Sequence, residues 1–337
     1  MRDNVTAAPV VDRLALAMRA SHVLVAIFVV AGLVFATVGV AMKDTFFLRL
    51  ATEALIFAGL ALSVDILLGY SGLLSLGQAL YFGLGAYVAA VVLKEIPSFW
   101  VAMGAALVAS LVVSILAGLI ANRVRGVYFA LVTFGLAQVA AKAVYNTRAL
   151  GASDGMIGVP IVPIDLGVAT VMSNSPAGFF LFTLAFIVVL YAISAYLLDT
   201  PFGRVLLAIR ANERRVPSLG YSTRNARLAA YVLAAVVAAL SGALYPMLRG
   251  FVSPELLFFT TSGNAVITVV TGGVGTLAGA LYGSVILTVL KSVIGSMTEH
   301  HLIVIGLLFM VTVIFLPKGL MGFIRPSIER LIGGGSR

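Results

Sequence analysis

The sequence contains no cysteine and few charged side chains of either sign. Its 337 residues include 13 Asp and Glu, 3 His and 1 Trp, and charged residues make up 10% of the chain. Without cysteine the chain forms no disulfide, no thiolate metal site and no cysteine nucleophile. With 61% hydrophobic residues and a mean hydropathy of +1.12, it lies outside the range of soluble proteins. The composition therefore indicates an all-α protein that crosses a membrane several times.

The chain also lacks the motifs of an ATP-binding protein or a metalloenzyme. No G-x-x-x-x-G-K-[ST] run is present, so no ATP is expected to bind through a P-loop. His300 and His301 are adjacent, and on a helix their side chains diverge, which does not suit a metal site. We therefore expect no catalytic residue, no metal and no bound cofactor.

Long apolar segments are abundant. Spanning a bilayer takes about 20 apolar residues, and such windows lie at 22 to 42, 50 to 69, 72 to 93, 98 to 121, 127 to 145, 178 to 198, 228 to 248, 263 to 294 and 301 to 316. The first window lacks a small-residue cleavage site after it and is expected to be an uncleaved signal anchor. The sequence predicts about eight to ten transmembrane or re-entrant helices in one domain, 22 to 316, between an arm of residues 1 to 21 and a tail of residues 317 to 337.

Basic residues are concentrated in four polar segments. Segment 199 to 227 carries six arginines against two acidic residues, and short cytoplasmic loops collect Lys and Arg. Counting back six spans places the arm and the 122 to 126 loop on the same side. With the tail, these segments hold 15 of the 22 basic residues. Both termini are therefore predicted to be cytoplasmic, and the charge of +9 is attributed to topology rather than to nucleic-acid binding.

The window 263 to 294 is too long for one span. At 1.5 Å per residue it would form a helix of about 48 Å, against a hydrocarbon core of about 30 Å. It contains Gly272, Gly273 and Gly275 in the run TGGVGTLAG, and a cytoplasmic tail requires an even number of crossings after residue 227. We expect two short or re-entrant half-helices that begin and end outside and line a pathway. Alternatively, the glycines only allow helices to pack closely.

Polar residues interrupt the apolar segment 69 to 90. Ser71, Ser75 and Gln78 are spaced i, i+4 and i+7, so they would share one helix face, which continues through Phe82, Gly85 and Ala89. Such a face is expected to lie against protein or water rather than lipid. This face is a candidate lining of the substrate pathway. Alternatively, its polar residues only form hydrogen bonds that join helices.

Two carboxylates lie in the window 50 to 69. Glu53 and Asp65 are of the type found in proton or ion relays. Both, however, lie within about a turn of the predicted ends, which favours side chains that extend into the interface. A carrier driven by intramembrane carboxylates is therefore less favoured.

The two longest loops have different compositions. Val205 to Arg215 is predicted to form a short helix with an apolar edge, ended by Pro217 and Gly220, which could lie on anionic lipid or dock into a soluble partner. The proline-rich connection 146 to 177 is predicted to be an ordered external loop that either receives a partner or caps the bundle.

Several long motifs, in order, resemble the longer of the two permease types of branched-chain amino acid ABC importers. The resemblance covers about residues 50 to 322 and rests on GYSGLLSLGQALYFGLGAYVAA at 69 to 90, GVYFALVTFGLAQV at 126 to 139, FGRVLLAIRANERRVPSLG at 202 to 220, ALSGALY at 239 to 245, ITVVTGGVGTLAGALYG at 267 to 283 and PKGLMG at 317 to 322. Urea and short-chain amide importers have closely similar permeases.

The resemblance implies a multi-pass protein of the bacterial inner membrane. Its partners would be a second similar permease, two ABC ATPases that carry ATP and Mg, a periplasmic or lipid-anchored binding protein, and membrane lipid, with no nucleic acid. The loop would supply the coupling helix, matching at Gly203, Arg204, Ile209, Arg210, Asn212, Glu213 and Gly220. The sequence departs from the family at Arg215 to Ser218, where Pro217 would end that helix early.

The expected function is ATP-driven alternating access for branched-chain amino acids. A zwitterionic aliphatic substrate needs polar groups for its two ends and an apolar wall, and the candidate pathway residues are Ser71, Ser75, Gln78, Thr133, Asn264, Thr271, Gly272, Gly273 and Gly275. The alternatives are a urea or short-chain amide permease, an ATP-independent secondary transporter or channel, and a membrane scaffold that moves no solute.

Overall fold

The computed structural model describes residues 10–41, 45–165, 170–171, 175–297, 301–315, 319–322 and 324, and these are mostly helical. The described α-helices are α1 Val10–Ala41, α2 Thr45–Asp65, α3 Gln78–Glu95, α4 Phe99–Ala121, α5 Val127–Asn146, α6 Pro176–Asp199, α7 Pro201–Asn212, α8 Thr223–Gly242, α9 Tyr245–Arg249, α10 Phe259–Gly272, α11 Ala278–Met297 and α12 His301–Phe315. The short strands are β1 Met156–Ile157, β2 Ile164–Asp165, β3 Thr170–Val171 and β4 Phe251–Val252, and the antiparallel pairs are β1 with β4 and β2 with β3.

Among the described residues, seven helical segments are long and apolar enough to cross a membrane. The shorter helices α3, α10 and α12 complete the bundle, which agrees with the prediction of eight to ten transmembrane or re-entrant helices. Helix α1 begins at Val10, inside the segment that was predicted to be an arm, while residues 1–9 lie outside the described part. Most of the predicted tail, His300 and the middle of the 146 to 177 loop also lie outside it.

Helices α2, α3 and α8 form the centre of the bundle, where small residues let backbones approach. A Cβ atom on Gly85 would meet the carbonyl of Ala239, and one on Gly242 would meet the carbonyl of Phe82. Ser241 donates a hydrogen bond of 2.5 Å to the Ile56 carbonyl and so joins α8 to α2. Close packing at small residues and interhelical hydrogen bonds hold helices together in a membrane, because lipid tails are as apolar as the side chains and no hydrophobic driving force favours association.

The chain leaves α2 through a π-helical turn, Ile66–Ser71, and then breaks. Gly72 has a φ of 69°, and residues 72 to 77 are not helical before α3 begins at Gln78. The prediction of a helix from residue 72 was therefore wrong for its first six residues. The Leu76 amide instead donates to the Thr133 hydroxyl on α5, at 3.3 Å, which is a tertiary contact that periodicity does not reveal.

The predicted break in 263 to 294 is confirmed. Helix α10 ends at Gly272 and α11 begins at Ala278, and between them Gly273 has a φ of 119° and Gly275 a φ of 80°. With 14 residues α10 is about 21 Å long, too short to span. With 20 residues α11 is long enough to cross, so only the first of the two helices is a half-helix.

The bundle has two distinguishable ends. At the arginine-rich end, defined by residues 199 to 227, the Asn122 side chain donates to the Arg224 carbonyl at 2.6 Å, so the 122 to 126 loop lies there as predicted. At the opposite end, Trp100 donates to the Asp165 carbonyl at 2.7 Å. The β1–β4 pair joins the 146 to 177 loop to the chain after α9 at this opposite end.

Candidate functional site

The first candidate site is the short helix α7 at the arginine-rich end. It runs Pro201–Asn212 rather than the predicted Val205 to Arg215, because Pro201 occupies the first turn, where its fixed φ favours helix initiation. Pro217 does not end the helix; it lies in the following 3-10 turn, Val216–Leu219, which Gly220 ends with a φ of 82°.

The predicted apolar edge of α7 packs onto this chain's own bundle. Leu206, Ile209 and Val216 are buried, so neither lipid nor a partner is needed to cover them. Gly203 is buried as well, and a Cβ atom there would meet the Leu198 carbonyl at the end of α6. The face of α7 that is left for a partner is therefore the polar one, and its exposed residues include Arg204, Arg210 and Asn212.

Arg210 connects α7 to the break after α2. Its guanidinium donates a hydrogen bond to the Gly69 carbonyl in the π-helical turn. The stem of the same side chain lies against Gly72, where a Cβ atom would meet it at 3.0 Å. A displacement of α7 would therefore pull directly on the end of α2.

Glu213 joins the two loops of the arginine-rich end. It pairs with Arg125 at 3.2 Å and with Arg227 at 3.0 Å, and Arg227 also donates to the Val124 carbonyl at 2.8 Å. Arg227 is almost fully buried, so its charge is neutralised inside the protein. The predicted coupling residue Glu213 therefore holds the two loops of this surface together through its ion pairs, and it is itself partly exposed there.

Asp65 is buried and does not extend into the interface, so that prediction was wrong. Its carboxylate accepts hydrogen bonds from the Gly275 amide at 2.6 Å and the Leu277 amide at 2.8 Å. The break between α10 and α11 folds over the end of α2, where the backbones of Gly69 and Gly275 are in contact. Asp65 therefore holds the 273 to 277 loop in place.

The predicted polar stripe is buried but does not form a helix face, because the chain breaks at Gly72. Ser71 donates to the Leu67 carbonyl at 2.6 Å, and Ser75 accepts from the Gly77 amide at 3.4 Å. Gln78 is fully buried, and neither polar atom of its side chain has a partner among the described residues.

Thr133 and Thr271 also make local hydrogen bonds. Thr133 donates to the Ala130 carbonyl at 3.0 Å, and Thr271 donates to the carbonyls of Ile267 and Thr268. These bonds agree with the alternative that the polar residues stabilise backbone and helix packing.

The glycines of the break have structural roles. A Cβ atom on Gly272 would meet the Gly279 carbonyl, so this glycine lets α10 and α11 pack closely. Gly273 and Gly275 adopt positive φ values, which glycine accepts without strain.

The second candidate site is a cavity of about 440 Å³ in the helical bundle, within the usual size range for small-molecule sites. Helices α2, α9, α10 and α11 enclose it, and its lining residues are Phe46, Leu50, Glu53, Phe57, Leu60, Arg249, Thr261, Asn264, Ala265, Thr268, Ser284, Leu287, Thr288, Lys291 and Ser292. A neighbouring cavity of about 320 Å³ shares four of these residues and is also lined by Arg49, Leu248 and Phe251, at the opposite end.

The cavity of about 440 Å³ is lined by three charged side chains. Glu53 pairs with Arg249, and the Lys291 side chain lies on the α11 wall. Of the predicted pathway residues, only Asn264 lines the cavity. Sequence reasoning considered Glu53 but placed it at the interface, and it did not single out Arg249 or Lys291. The signal that could have found Lys291 is a charged residue inside an apolar segment.

The chain is similar to known permease proteins. Residues 46–313 match the family described as branched-chain amino acid transport system, permease component. The chain is 28% identical over 325 residues to the high-affinity branched-chain amino acid transport system permease protein LivM of Salmonella typhimurium and to that of Escherichia coli, covering 90% of this chain and 76% of each relative.

The other permease type of such systems also matches. The chain is 22% identical over 290 residues to the permease protein LivH of Salmonella typhimurium, covering 82% of this chain and 93% of the relative. No solved structure matches. Because the family match extends over most of the chain and over its helical bundle, the chain belongs to the family of branched-chain amino acid transport system permease components.

Proposed function

We propose that this chain is a transmembrane permease subunit of an ABC importer that moves branched-chain, hydrophobic amino acids into the cytoplasm by ATP-driven alternating access. The similarity to LivM and LivH, which are named permease proteins of high-affinity branched-chain amino acid transport systems, supports the substrate class. The similarity to both types also supports a complex in which this chain pairs with a second, similar permease.

The observation that carries the mechanism is the chain of contacts from α7 to the cavity. Arg210 on α7 binds the Gly69 carbonyl, and Asp65 in the preceding turn holds the loop that connects α10 to α11. Helices α10 and α11 both line the cavity. Movement of α7 by ATPase subunits would therefore reach the cavity walls through hydrogen-bonded backbone and switch the opening from one side to the other.

The similarity to permease proteins of branched-chain amino acid transport systems supports the proposed partners. Two ABC ATPases, which carry ATP and Mg, dock on the polar face of α7, and the arginine-rich end faces the cytoplasm because short cytoplasmic loops collect basic residues. A periplasmic or lipid-anchored binding protein delivers substrate at the opposite end. The complex lies in the bacterial inner membrane.

The test is uptake by the complex purified from its native membrane and reconstituted in liposomes. We expect ATPase subunits to co-purify and radiolabelled leucine to enter only with ATP. Gly203→Trp should abolish uptake, since any side chain there meets the end of α6. Gly104→Trp is the control, because among the described residues no atom beyond its chain neighbours and the backbone of its own helix lies within 4 Å of a Cβ atom at that position. Uptake by the lone chain without ATP, or uptake of urea but not leucine, would contradict the proposal.

A further inference from the structure

We infer that the cavity between α2, α9, α10 and α11 is a binding site for the charged ends of a zwitterionic amino acid, with Arg249 and Lys291 for the carboxylate and Glu53 for the ammonium. This inference rests on the proposed function and names the groups that recognise its substrate. None of the three residues belongs to the motifs that carry the family resemblance.

The charges of the cavity favour a carboxylate. Glu53 pairs with Arg249, whereas none of the ion pairs among the described residues includes Lys291. The three side chains together carry one surplus positive charge. A bound zwitterion would place its carboxylate beside Lys291 and Arg249 and its ammonium beside Glu53, so each end would face an opposite charge, and charge-assisted hydrogen bonds are among the stronger polar contacts in proteins.

The position of Lys291 argues against a purely interfacial role. It lies six residues before the end of α11, or about 9 Å along the helix, and it is only partly exposed. A cation at this depth is costly unless it faces a partner or a water-filled cavity. Lys291 lines the cavity, where Glu53 and Arg249 also lie, so its amino group faces polar surroundings.

The same cavity provides a wall for an aliphatic side chain. Phe57, Leu60 and Leu287 lie on its surface, and Leu60 and Leu287 are buried. Apolar walls with a few converging polar groups are typical of small-molecule sites. A neutral amide such as urea needs neither the three charges nor this wall, so the cavity fits an amino acid better.

Because the chain has no cysteine, a single introduced cysteine is its only thiol, and its labelling rate measures access to that position. Thr288→Cys places a thiol on the cavity wall, and Ser296→Cys places a matched thiol on the exposed part of the same helix. The whole complex, in lipid nanodiscs, is labelled with a fluorescent maleimide. The subunits are then separated on a denaturing gel, and the fluorescence of the band with the mass of this chain is measured. Asn264→Cys is a second cavity position, used if Thr288→Cys lacks leucine uptake.

We expect leucine to slow labelling of Thr288→Cys and not of Ser296→Cys. Adding Lys291→Met should raise the leucine concentration for half-protection by about tenfold or more, since one charge-assisted hydrogen bond is lost. Lys94→Met, which removes an exposed lysine from α3, should leave it unchanged. 4-Methylpentanoate and 3-methylbutylamine, which each lack one charged end, should protect at least about tenfold more weakly than leucine.

Protection by urea equal to that by leucine, or half-protection unaffected by Lys291→Met, would overturn the assignment. Leucine uptake by the unmodified complex is measured in parallel and separates the two ideas. Leucine uptake without protection of the cavity thiol would contradict the binding site but not the importer function. The absence of ATP-dependent leucine uptake would contradict the proposed function itself.

Discussion

Asp65 is a carboxylate with no exposed surface at the end of a helix that crosses the membrane. Its two amide partners come from a loop more than 200 residues later in the chain. A buried charge is stable only when it is hydrogen-bonded, and backbone amides of the loop just before α11 provide those bonds. One side chain thus joins α2 to the loop between α10 and α11.

We expect Asp65→Ala to lower the stability of the folded chain by about 2 to 4 kcal/mol, because two buried amides lose a charged acceptor. Thermal unfolding of the detergent-solubilised chain, followed by size-exclusion chromatography after heating, measures the shift. Asp154→Ala is the control, since Asp154 is exposed in the loop at the opposite end. Equal melting temperatures for the two variants would show that the Asp65 contacts are dispensable.

Pairs of helices approach each other at glycines whose missing side chain leaves room for a neighbouring backbone. The contact between α3 and α8 is of this kind at Gly85 and Gly242. Gly104 on α4 differs from these two, because a Cβ atom at this position would meet open space. Both types are in apolar helices, and only the tertiary packing distinguishes them.

Gly85→Ala and Gly104→Ala should therefore change stability in opposite directions. The first places a methyl group against the Ala239 carbonyl and should destabilise by about 1 to 3 kcal/mol. The second gains helix propensity and should be neutral or stabilising by up to about 1 kcal/mol. Melting temperatures of the two purified variants measure this, and destabilisation of similar size in both would contradict the packing argument.

Helix α7 is the element through which force would enter the bundle. If the hydrogen bond from Arg210 to Gly69 transmits the movement of α7, as proposed, Arg210→Ala should lower the leucine transported per ATP hydrolysed by about tenfold. The measurement is uptake and ATP hydrolysis in the same proteoliposomes.

Arg214→Ala removes the same charge from an exposed position four residues later. It should reduce hydrolysis and uptake together, if at all, and leave their ratio unchanged. An unchanged ratio for Arg210→Ala as well would show that this residue only supports docking of the ATPase.

The whole molecule has one basic end and one end with the β1–β4 pair, and its orientation can be measured directly. We expect Ser153→Cys to react with a membrane-impermeant maleimide added to cells with a permeabilised outer membrane. Ser218→Cys, which is also exposed and lies at the arginine-rich end, should react only after the inner membrane is opened. The reverse pattern would place the arginine-rich end outside and exclude ATPase docking on α7.

Much of the architecture was predictable because it depends on local properties of the chain. Apolar length indicated the transmembrane helices, and the glycines at 272, 273 and 275 indicated the break between α10 and α11. The residues of the cavity were largely missed. Ser71, Ser75 and Gln78 stood out as polar residues in an apolar run, yet they lie apart from the cavity because the helix breaks at Gly72.

The sequence by itself determined the membrane class, the approximate number of transmembrane or re-entrant helices, the basic end and the family. These follow from composition, length and motifs, which need no knowledge of neighbours in space. Only the tertiary structure decided that Asp65 is a buried acceptor and that Glu53, Arg249 and Lys291 meet in one cavity. These residues come from helices far apart in the chain, so their proximity depends on how the helices pack, and a periodic pattern within one segment carries no information about that.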